Sequence, residues 1–427
     1  MGGLLTAASG QSQTVPQATD AARVQQRNDQ LRIATPDAYD LNRYPIVDQN
    51  EKYWRQLLWS TAILEPQSSA IDSTIAQILT LTVQPNLTDA QKRTVQMAMQ
   101  VGTQLYLSNP TLYVGIRDQF RQTLEQSPRS EWVAMSLSAL TQSGVAETSA
   151  SSQLVQQRFP NWRNDVYLYT MLQTIGTAPK QTPPLRDLLN WTIAPQELQL
   201  YVLCRPDRSV LCTSVLRDRS GRFVQQGSQL WSVPLLTRSL HGLSGVFSRG
   251  QTPQGIYRIE GTIPQPDTQF FRAYGLFSLV NLFAPSEPGV KAFLPGQRGP
   301  LKTGVNNYQA LLPPSWRNYF PMQQSYWAGK AGRSLFRIHG SGESPTFFEN
   351  NTRYPASAGW NPAIGCLSAL ELYDDAGRLT RADMPNILSA LTNAGGKKFT
   401  GYLVVVEVPG QTKAPVSAQE IKRILAR

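Results

Sequence analysis

The clearest strand signal in this 427-residue chain is Thr400-Gly-Tyr-Leu-Val-Val-Val-Glu-Val408. Valine and aromatic residues are enriched in strands, so this segment predicts a β-strand near the C-terminus. Alternating apolar residues or a similar composition predict further strands at 197–203, 209–216, 255–259 and 334–338. The segment 209–216 is the expected hairpin partner of 197–203. We therefore expect a mostly β C-terminal half.

One helix is expected to interrupt these strands, at Asp383-Met-Pro-Asn-Ile-Leu-Ser-Ala-Leu-Thr-Asn393. Asp and Pro stand at its start, and Gly395 and Gly396 follow its end. This asymmetry is typical of helices, because Pro fits the first turn and Gly terminates the last one.

The N-terminal half has helical rather than strand spacing from about residue 48 onward. Thr88-Asp-Ala-Gln91 has the pattern of a capping box and predicts the start of a helix there. Shorter helices are predicted around 111–126, 130–143 and 165–174, and no fixed repeat period is visible. The apolar residues of the first predicted helical faces are Tyr53, Trp54, Leu57, Leu58, Ala62, Ile63, Ile71, Ile75, Ile78, Leu79 and Leu81.

These patterns predict a multidomain protein, an α-helical domain followed by a mostly β domain with one helix. Residues 1–45 are rich in Gln, Ala, Ser and Thr, and we expect a flexible tail that is the candidate remnant of an export signal. The predicted boundaries are 46–177 for the helical domain, 178–194 for a Pro-rich linker, 195–412 for the β-rich domain and 413–427 for a C-terminal tail.

Charge divides the chain in the same way. The net charge is +11, but residues 1–200 carry 15 basic and 16 acidic side chains, whereas residues 201–427 carry 25 and 13. Attraction to an anionic partner is therefore expected of the C-terminal half. No zinc finger, RNA-recognition signature or Lys/Arg-rich helix is visible, so we expect no nucleic-acid partner. No run of about 18 apolar residues predicts a transmembrane segment.

The three cysteines fall into a pair and a single residue. Cys204 and Cys212 flank Arg205-Pro-Asp-Arg208, which predicts a turn that lets the two face each other across a hairpin. Two interpretations stay open, namely small core residues or a cross-strand disulfide in an exported protein. Cys366 has no obvious partner and is a candidate reactive thiol.

A thiol needs a base to become a good nucleophile, and the chain has only two histidines. His339 ends a predicted strand in Phe336-Arg-Ile-His-Gly340, and Cys366 lies in Ile364-Gly-Cys-Leu-Ser368. A tight Gly turn beside a cysteine can also present backbone N–H groups to an oxyanion. The alternative is a buried cysteine and a structural histidine. We expect His241 to be a loop residue in solvent, with a role as the base as its alternative.

Five aromatic residues precede the predicted His339 strand. A core position is the expected one for such side chains, and a sugar- or peptide-binding groove is the alternative. They are Trp316, Tyr319, Phe320, Tyr326 and Trp327.

Three motifs in order resemble those of the L,D-transpeptidase (YkuD-type) family. Thr252-Pro-Gln-Gly-Ile-Tyr-Arg-Ile259 resembles its Thr-Pro-x-Gly-x-Phe-x-Ile signature, Ile338-His-Gly-Ser341 its Ile-His-Gly-Thr, and Gly365-Cys-Leu-Ser368 its Gly-Cys-Ile-Arg. The resemblance covers about residues 195–410. Three features depart from it: Ile364 where the family has a second histidine, Ser368 where it has an arginine, and a longer interval of 27 residues between His339 and Cys366.

The resemblance implies an enzyme that modifies peptidoglycan stem peptides in the periplasm or cell wall, without metal or cofactor. Cys366 would be the nucleophile that forms a thioester, and His339 the general base. Gly365 and the Cys366 N–H would contribute the oxyanion site, and Gly340 or Ser341 would orient the imidazole. The excess positive charge of this half suits stem-peptide carboxylates or an anionic wall polymer.

Two other functions remain open at this point. A wall-binding module of the same fold that has lost turnover is suggested by Ile364 and by the long interval before Cys366. A cysteine hydrolase that trims stem peptides, with water as the acceptor, would use the same thioester.

Overall fold

The computed structural model describes residues 14–144, 148–176, 181–265, 276–302, 304–341, 353–410 and 413–426. The helices before the sheet are α1 (Asp20–Ile33), α2 (Glu51–Leu64), α3 (Ser69–Leu79), α4 (Asp89–Ser108), α5 (Val114–Gln126), α6 (Ser130–Gln142), α7 (Thr148–Arg158), α8 (Val166–Gly176) and α9 (Leu185–Asn190). The strands are β1 (Leu198–Cys204), β2 (Cys212–Arg217), β3 (Gln225–Gln226), β4 (Gln229–Leu230), β5 (Ser232–Leu235), β6 (Gly255–Ile263), β7 (Leu279–Phe283), β8 (Arg337–Gly340), β9 (Leu367–Ala369), β10 (Glu371–Tyr373), β11 (Leu379–Ala382) and β12 (Thr400–Glu407). The helices among or after them are α10 (Val305–Gln309), α11 (Gln324–Lys330), α12 (Met384–Gly395) and α13 (Ala418–Ala426).

The helical half packs around one apolar core. The predicted capping box is confirmed at the start of α4, where the Thr88 hydroxyl accepts from the Gln91 N–H and the Gln91 side chain accepts from the Thr88 N–H. Trp54 on α2, Ile75 on α3 and Phe120 on α5 are fully buried in this core. Among the described helices, none combines the length and apolar character needed to cross a membrane.

Strand β12 lies near the middle of an eight-stranded mixed sheet with the order β5-β2-β1-β12-β6-β7-β8-β9. It pairs in parallel with β1 and antiparallel with β6. Leu403 and Val405 face a core shared with α12, whereas Val404 and Val406 face a second core on the opposite side of the sheet. Burial on both faces explains the nearly continuous apolar run of this strand.

The sheet curls until its two edges meet, so that it is nearly a barrel. Leu236, next to the end of β5, exchanges two backbone hydrogen bonds of 2.9 Å with Ser368 in β9. This closure brings the chain that follows β5 alongside the segment that carries Cys366.

Residues 14–33 are ordered, contrary to the tail expected for 1–45. The Thr19 hydroxyl caps α1 by accepting from the Ala22 N–H at 3.2 Å, and the Val15 N–H donates to the Gly377 carbonyl in the β10–β11 turn. The Ser60 hydroxyl on α2 donates to Gln30. Because polar bonds to distant segments hold this helix, it lacks the apolar periodicity that a sequence search detects. Residues 1–13 lie outside the described residues.

Three further expectations differ from the structure, namely the linker, the C-terminal tail and the single helix of the β half. The linker segment contains α9, and the tail segment contains α13, whose Ile421 is fully buried. The short helices α10 and α11 add to α12. Their apolar residues, including Tyr308 and Tyr326, cover the outer face of the sheet, and helices this short leave little periodicity to recognise.

Cys204 and Cys212 form a disulfide bond between the end of β1 and the start of β2. These strands pair antiparallel, with Leu203 opposite Thr213, as the predicted hairpin requires. The disulfide interpretation is therefore the one that the structure supports, and Cys366 is the remaining thiol of the three cysteines.

The connection from β5 to β6 joins the two halves. Its residues Leu240, Leu243 and Phe247 are buried in the same core as the helices of the N-terminal half. Within it, His241 is fully buried, and its Nδ1 lies 3.0 Å from the side-chain oxygen of Gln104 on α4. The expectation of a solvated loop histidine is wrong, because this loop is covered by the helical half.

We expect His241 to make the fold sensitive to acid. Burial, with the charge of Arg249, lowers the pKa of His241 from 6.5 to about 3, so between these values the unfolded chain binds a proton that the folded chain does not. Stability is therefore lost as the pH falls below 6.5, by about 1.4 kcal/mol per pH unit from this residue.

Urea unfolding at pH 7.5, 5.5 and 4.5 measures this loss. The His241→Asn variant keeps a donor toward Gln104 but does not titrate, so its midpoint should fall less with pH than that of the wild type. Parallel pH dependence in the two proteins would contradict the assignment.

Candidate active site

Cys366 and His339 line one cavity of about 490 Å³. Strands β8 and β9 run parallel, with His339 opposite Ser368. Cys366 stands two residues before Ser368 and immediately before β9. Because side chains alternate along a strand, Cys366 and His339 are expected on the same face of the sheet, two register positions apart. Gly365 and Ser341 also line the cavity.

The His339 imidazole is held in one orientation by its own strand. Its Nδ1 lies 3.1 Å from the carbonyl oxygen of Gly340, so Nδ1 carries the proton and Nε2 is the acceptor. Burial lowers the pKa of His339, against the opposing effect of this hydrogen bond. At neutral pH the ring is therefore neutral, and Nε2 can take a proton.

The turn before Cys366 depends on Gly365. Its φ of +130° is one that L side chains rarely adopt, and a Cβ there would overlap the guanidinium of Arg333. The Thr252 hydroxyl donates to the carbonyl of Gly365 at 3.0 Å, with the carbonyl of Cys366 at 3.4 Å. The first of the three motifs thus anchors the third.

Arg333 is buried beneath this turn and binds backbone carbonyls. Its guanidinium donates to Gly245, to Gln251 at 2.8 Å, to Gly250 at 2.9 Å and to Ile364 at 3.4 Å. Burial lowers the pKa of Arg333 to about 10. The side chain therefore ties the β5–β6 connection to the segment that carries the thiol.

The thiol is protonated at neutral pH. Burial raises the pKa of Cys366 above its ordinary value of 9.0, and Glu287 acts in the same direction. The backbone N–H of Arg337 and the charges of Arg337 and Arg333 oppose this rise without cancelling it. A neutral thiol and a neutral imidazole that line the same cavity suit general-base catalysis rather than a preformed thiolate–imidazolium pair.

Leu335 forms the rim of the cavity in an unusual conformation. Its φ is +63°, and its side chain is 67% exposed. The Glu287 carboxylate accepts from the Leu335 N–H at 2.8 Å, and the Cys366 Sγ lies 3.6 Å from the Leu335 carbonyl oxygen. A strained backbone at a cavity rim is typical of functional sites.

The proposed orienting residues have different surroundings. The carbonyl of Gly340 contacts the imidazole, whereas Ser341 is buried and its N–H donates to the Ala369 carbonyl at 2.8 Å. A Cβ on Gly340 would overlap the carboxyl group of buried Glu371, which explains the glycine after His339. Burial raises the pKa of Glu371.

The other candidates lie elsewhere. His241 does not line the cavity, and its ring is buried against Gln104 of the helical half. The aromatic cluster is largely core, because Trp316, Phe320 and Tyr326 are buried. Phe320 and Trp327 contact Tyr169 of α8, so the cluster also joins the two halves.

Several residues of this site carry no signal of their own in the sequence. Arg333, Arg337 and Glu287 stand in segments without a recognisable motif, and only the fold brings them to the thiol. Thr252 lies in a recognised motif, but its role in holding the Gly365 turn becomes visible only with the hydrogen bond. Alternation along β8 could have placed Arg337 on the face of His339.

Comparison with protein-family models, with curated proteins and with solved structures finds no match to this chain. Within the described ranges, no group of three or more His, Cys, Asp or Glu residues has the arrangement of a metal site.

We expect slow alkylation of Cys366 at neutral pH. With a pKa above 9, roughly 1% or less of the thiol is ionised at pH 7. The iodoacetamide rate should rise through pH 9 without an earlier plateau, and His339→Asn should leave the profile unchanged because a neutral ring does not stabilise the thiolate. Mass spectrometry measures the rate, with Cys366→Ala as the blank. A plateau near pH 7 that His339→Asn abolishes would indicate an ion pair instead.

Thr252→Val should destabilise the protein by about 1–3 kcal/mol, because buried carbonyls of the Gly365 turn lose their donor. Thr252→Ser keeps the hydroxyl and should lose less. Urea midpoints compare the three proteins. Equal midpoints for the valine and serine variants would show that the hydroxyl does not support the turn.

Proposed function

We propose that this chain is a cysteine acyltransferase of the L,D-transpeptidase type, which acts on peptidoglycan stem peptides through a thioester on Cys366. The observation that carries the proposal is the shared cavity of Cys366 and His339, with Nδ1 of the imidazole bonded to Gly340 and Nε2 left as the acceptor. The order of the three motifs supports the same assignment, because Thr252 contacts the Gly365 turn.

The reaction begins with removal of the Cys366 proton by Nε2 of His339. The sulfur attacks the carbonyl that joins an L-centre to a terminal D-amino acid, and the Cys366 N–H stabilises the oxyanion. The C–N bond breaks, and the D-amino acid departs with the proton from His339. An amine of a second stem peptide then attacks the thioester, which restores the thiol.

Departures from the family pattern do not remove a group that this mechanism needs. Where the family has a second histidine, the carbonyl of Ile364 accepts from Arg333 at 3.4 Å. Arg333 and Arg337 supply positive charge near the thiol, although Ser368 replaces the family's arginine. Arg337, which lines the cavity, is the cation that supports recognition of a substrate carboxylate.

The proposed location is the periplasm or cell wall. The Cys204–Cys212 disulfide supports export, because disulfides persist mainly in oxidising compartments. The substrate proposed for Cys366 would be found there as well.

Exposure of the purified protein to a carbapenem, followed by intact-mass measurement, tests the thioester chemistry. We expect one stable adduct on the wild type and none on Cys366→Ala. The rate for His339→Asn should fall roughly 10²–10⁴-fold, as for loss of a general base. The absence of an adduct on a wild-type protein whose thiol still reacts with iodoacetamide would favour the binding module.

Products separate the two enzymatic alternatives. Cross-linked stem-peptide dimers are expected if an amine resolves the thioester, and trimmed monomers if water does. Liquid chromatography with mass spectrometry of digested peptidoglycan distinguishes them. Trimmed monomers alone would make the enzyme a carboxypeptidase.

A further inference from the structure

The cavity of Cys366 continues onto the helical half. A second cavity of about 760 Å³ shares Ser248 and Arg249 with the first, and a third of about 480 Å³ also has Arg249 in its wall. The second and third cavities are otherwise lined mainly by residues of α2, α4 and the start of α6. Arg249 therefore stands in the wall of all three adjoining cavities, which together form a depression on both halves of the molecule.

This depression is strongly basic. Residues 1–200 have a net charge near zero, yet five of their basic side chains converge here with Arg249. The carboxylates in its wall are Glu51 and Glu131. The basic residues, which define the feature called here the basic groove, are Lys52, Arg55, Lys92, Arg93, Arg129 and Arg249.

Both acidic residues in the wall of the groove are held by neighbouring side chains. Glu51 pairs with Arg93 at 2.5 Å and with Arg55 at 3.5 Å. Glu131 accepts a hydrogen bond of 2.7 Å from Gln96, and burial raises its pKa. The two carboxylates therefore hold the wall in place. Lys92 is paired with the exposed Asp89 at 2.8 Å, so six basic side chains stand against three carboxylates, and this excess gives the groove a positive potential.

Aromatic rings fix the orientation of two of the arginines. The guanidinium of Arg129 stands over Trp132 at 5.0 Å, and that of Arg249 over Trp59 at 5.7 Å. The Trp132 N–H donates to Gln96 at 2.6 Å, so the ring beneath Arg129 is itself fixed. A stacked guanidinium is pre-oriented and presents its planar fork to a carboxylate at a small cost in side-chain entropy.

We propose that the basic groove binds the peptidoglycan strand whose stem peptide enters the Cys366 cavity, through the free carboxylates of neighbouring stem peptides. This inference rests on the proposed function. A polymeric substrate extends beyond a cavity of about 490 Å³, and the groove continues from that cavity with the complementary charge. The helical half is then the part of the molecule that selects polymer over free peptide.

Binding to purified, insoluble peptidoglycan tests this role. The proteins carry Cys366→Ala to prevent turnover. The groove variant adds Lys92→Gln and Arg129→Gln. The matched control adds Arg117→Gln and Arg121→Gln, which remove the same charge from α5, outside the groove. By co-sedimentation at low salt, the groove variant should bind roughly tenfold more weakly, and the control should bind like its parent.

A second binding measurement tests whether the groove recognises the carboxylates of the polymer. The same binding is measured with peptidoglycan whose carboxyl groups have been amidated chemically. The parent protein should bind this amidated polymer weakly, with the same affinity that the groove variant has for native peptidoglycan. Equal binding by the groove and control variants, or undiminished binding to amidated peptidoglycan, would overturn the inference. Groove-dependent binding to double-stranded DNA that is tighter than binding to peptidoglycan would overturn the assigned partner.

The two proposals can fail separately. With Cys366 intact, the groove variant should form the carbapenem adduct at the wild-type rate, because a small inhibitor does not reach the groove. Failure of the wild type to form an adduct counts against the thioester chemistry, whereas a normal adduct with unchanged polymer binding in the groove variant counts against the groove alone.

Discussion

The buried guanidinium of Arg333 is the interaction on which the arrangement of the site depends. It is bonded to carbonyls of Gly245, Gly250, Gln251 and Ile364, and no carboxylate is among these partners. A buried charge is costly unless its donors are satisfied, so these segments must stay in place for the charge to be tolerated. The bonds hold the turn at Gly365 against the β5–β6 connection, and thereby set the position of the thiol.

The same connection makes the helical half part of the site. Leu243 and Phe247 belong to the helical core, while the neighbouring carbonyls of Gly245, Gly250 and Gln251 bind Arg333. A shift of the helices would therefore change the position of the Gly365 turn. The ring contacts of Tyr169 with Phe320 and Trp327 form a second link between the halves. The two halves are therefore joined by buried contacts in two places.

Sequence patterns could predict the elements that have a distinctive composition, a clear apolar periodicity or a recognisable cap. Strand β12, helix α12 and the capping box of α4 were accessible in this way. Helix α1 was not, because Val15 and Gln30 hold it by polar bonds to distant segments. Cys366 and His339 could be proposed together from their motifs. Arg333 and the environment of His241 could not, since both depend on the packing of loops that the sequence does not position.

Closure of the sheet also determines how a peptide can be held beside the thiol. The N–H and C=O of Ser368 are both bonded to Leu236, so this part of the β9 edge has no backbone groups left for an added strand. The peptide proposed as the substrate would therefore be recognised by side chains and by its charged ends rather than by β-sheet pairing at this residue. Such recognition does not require the backbone of the peptide to follow the extended path of an L-residue strand, and it is thus compatible with chains in which D- and L-centres alternate.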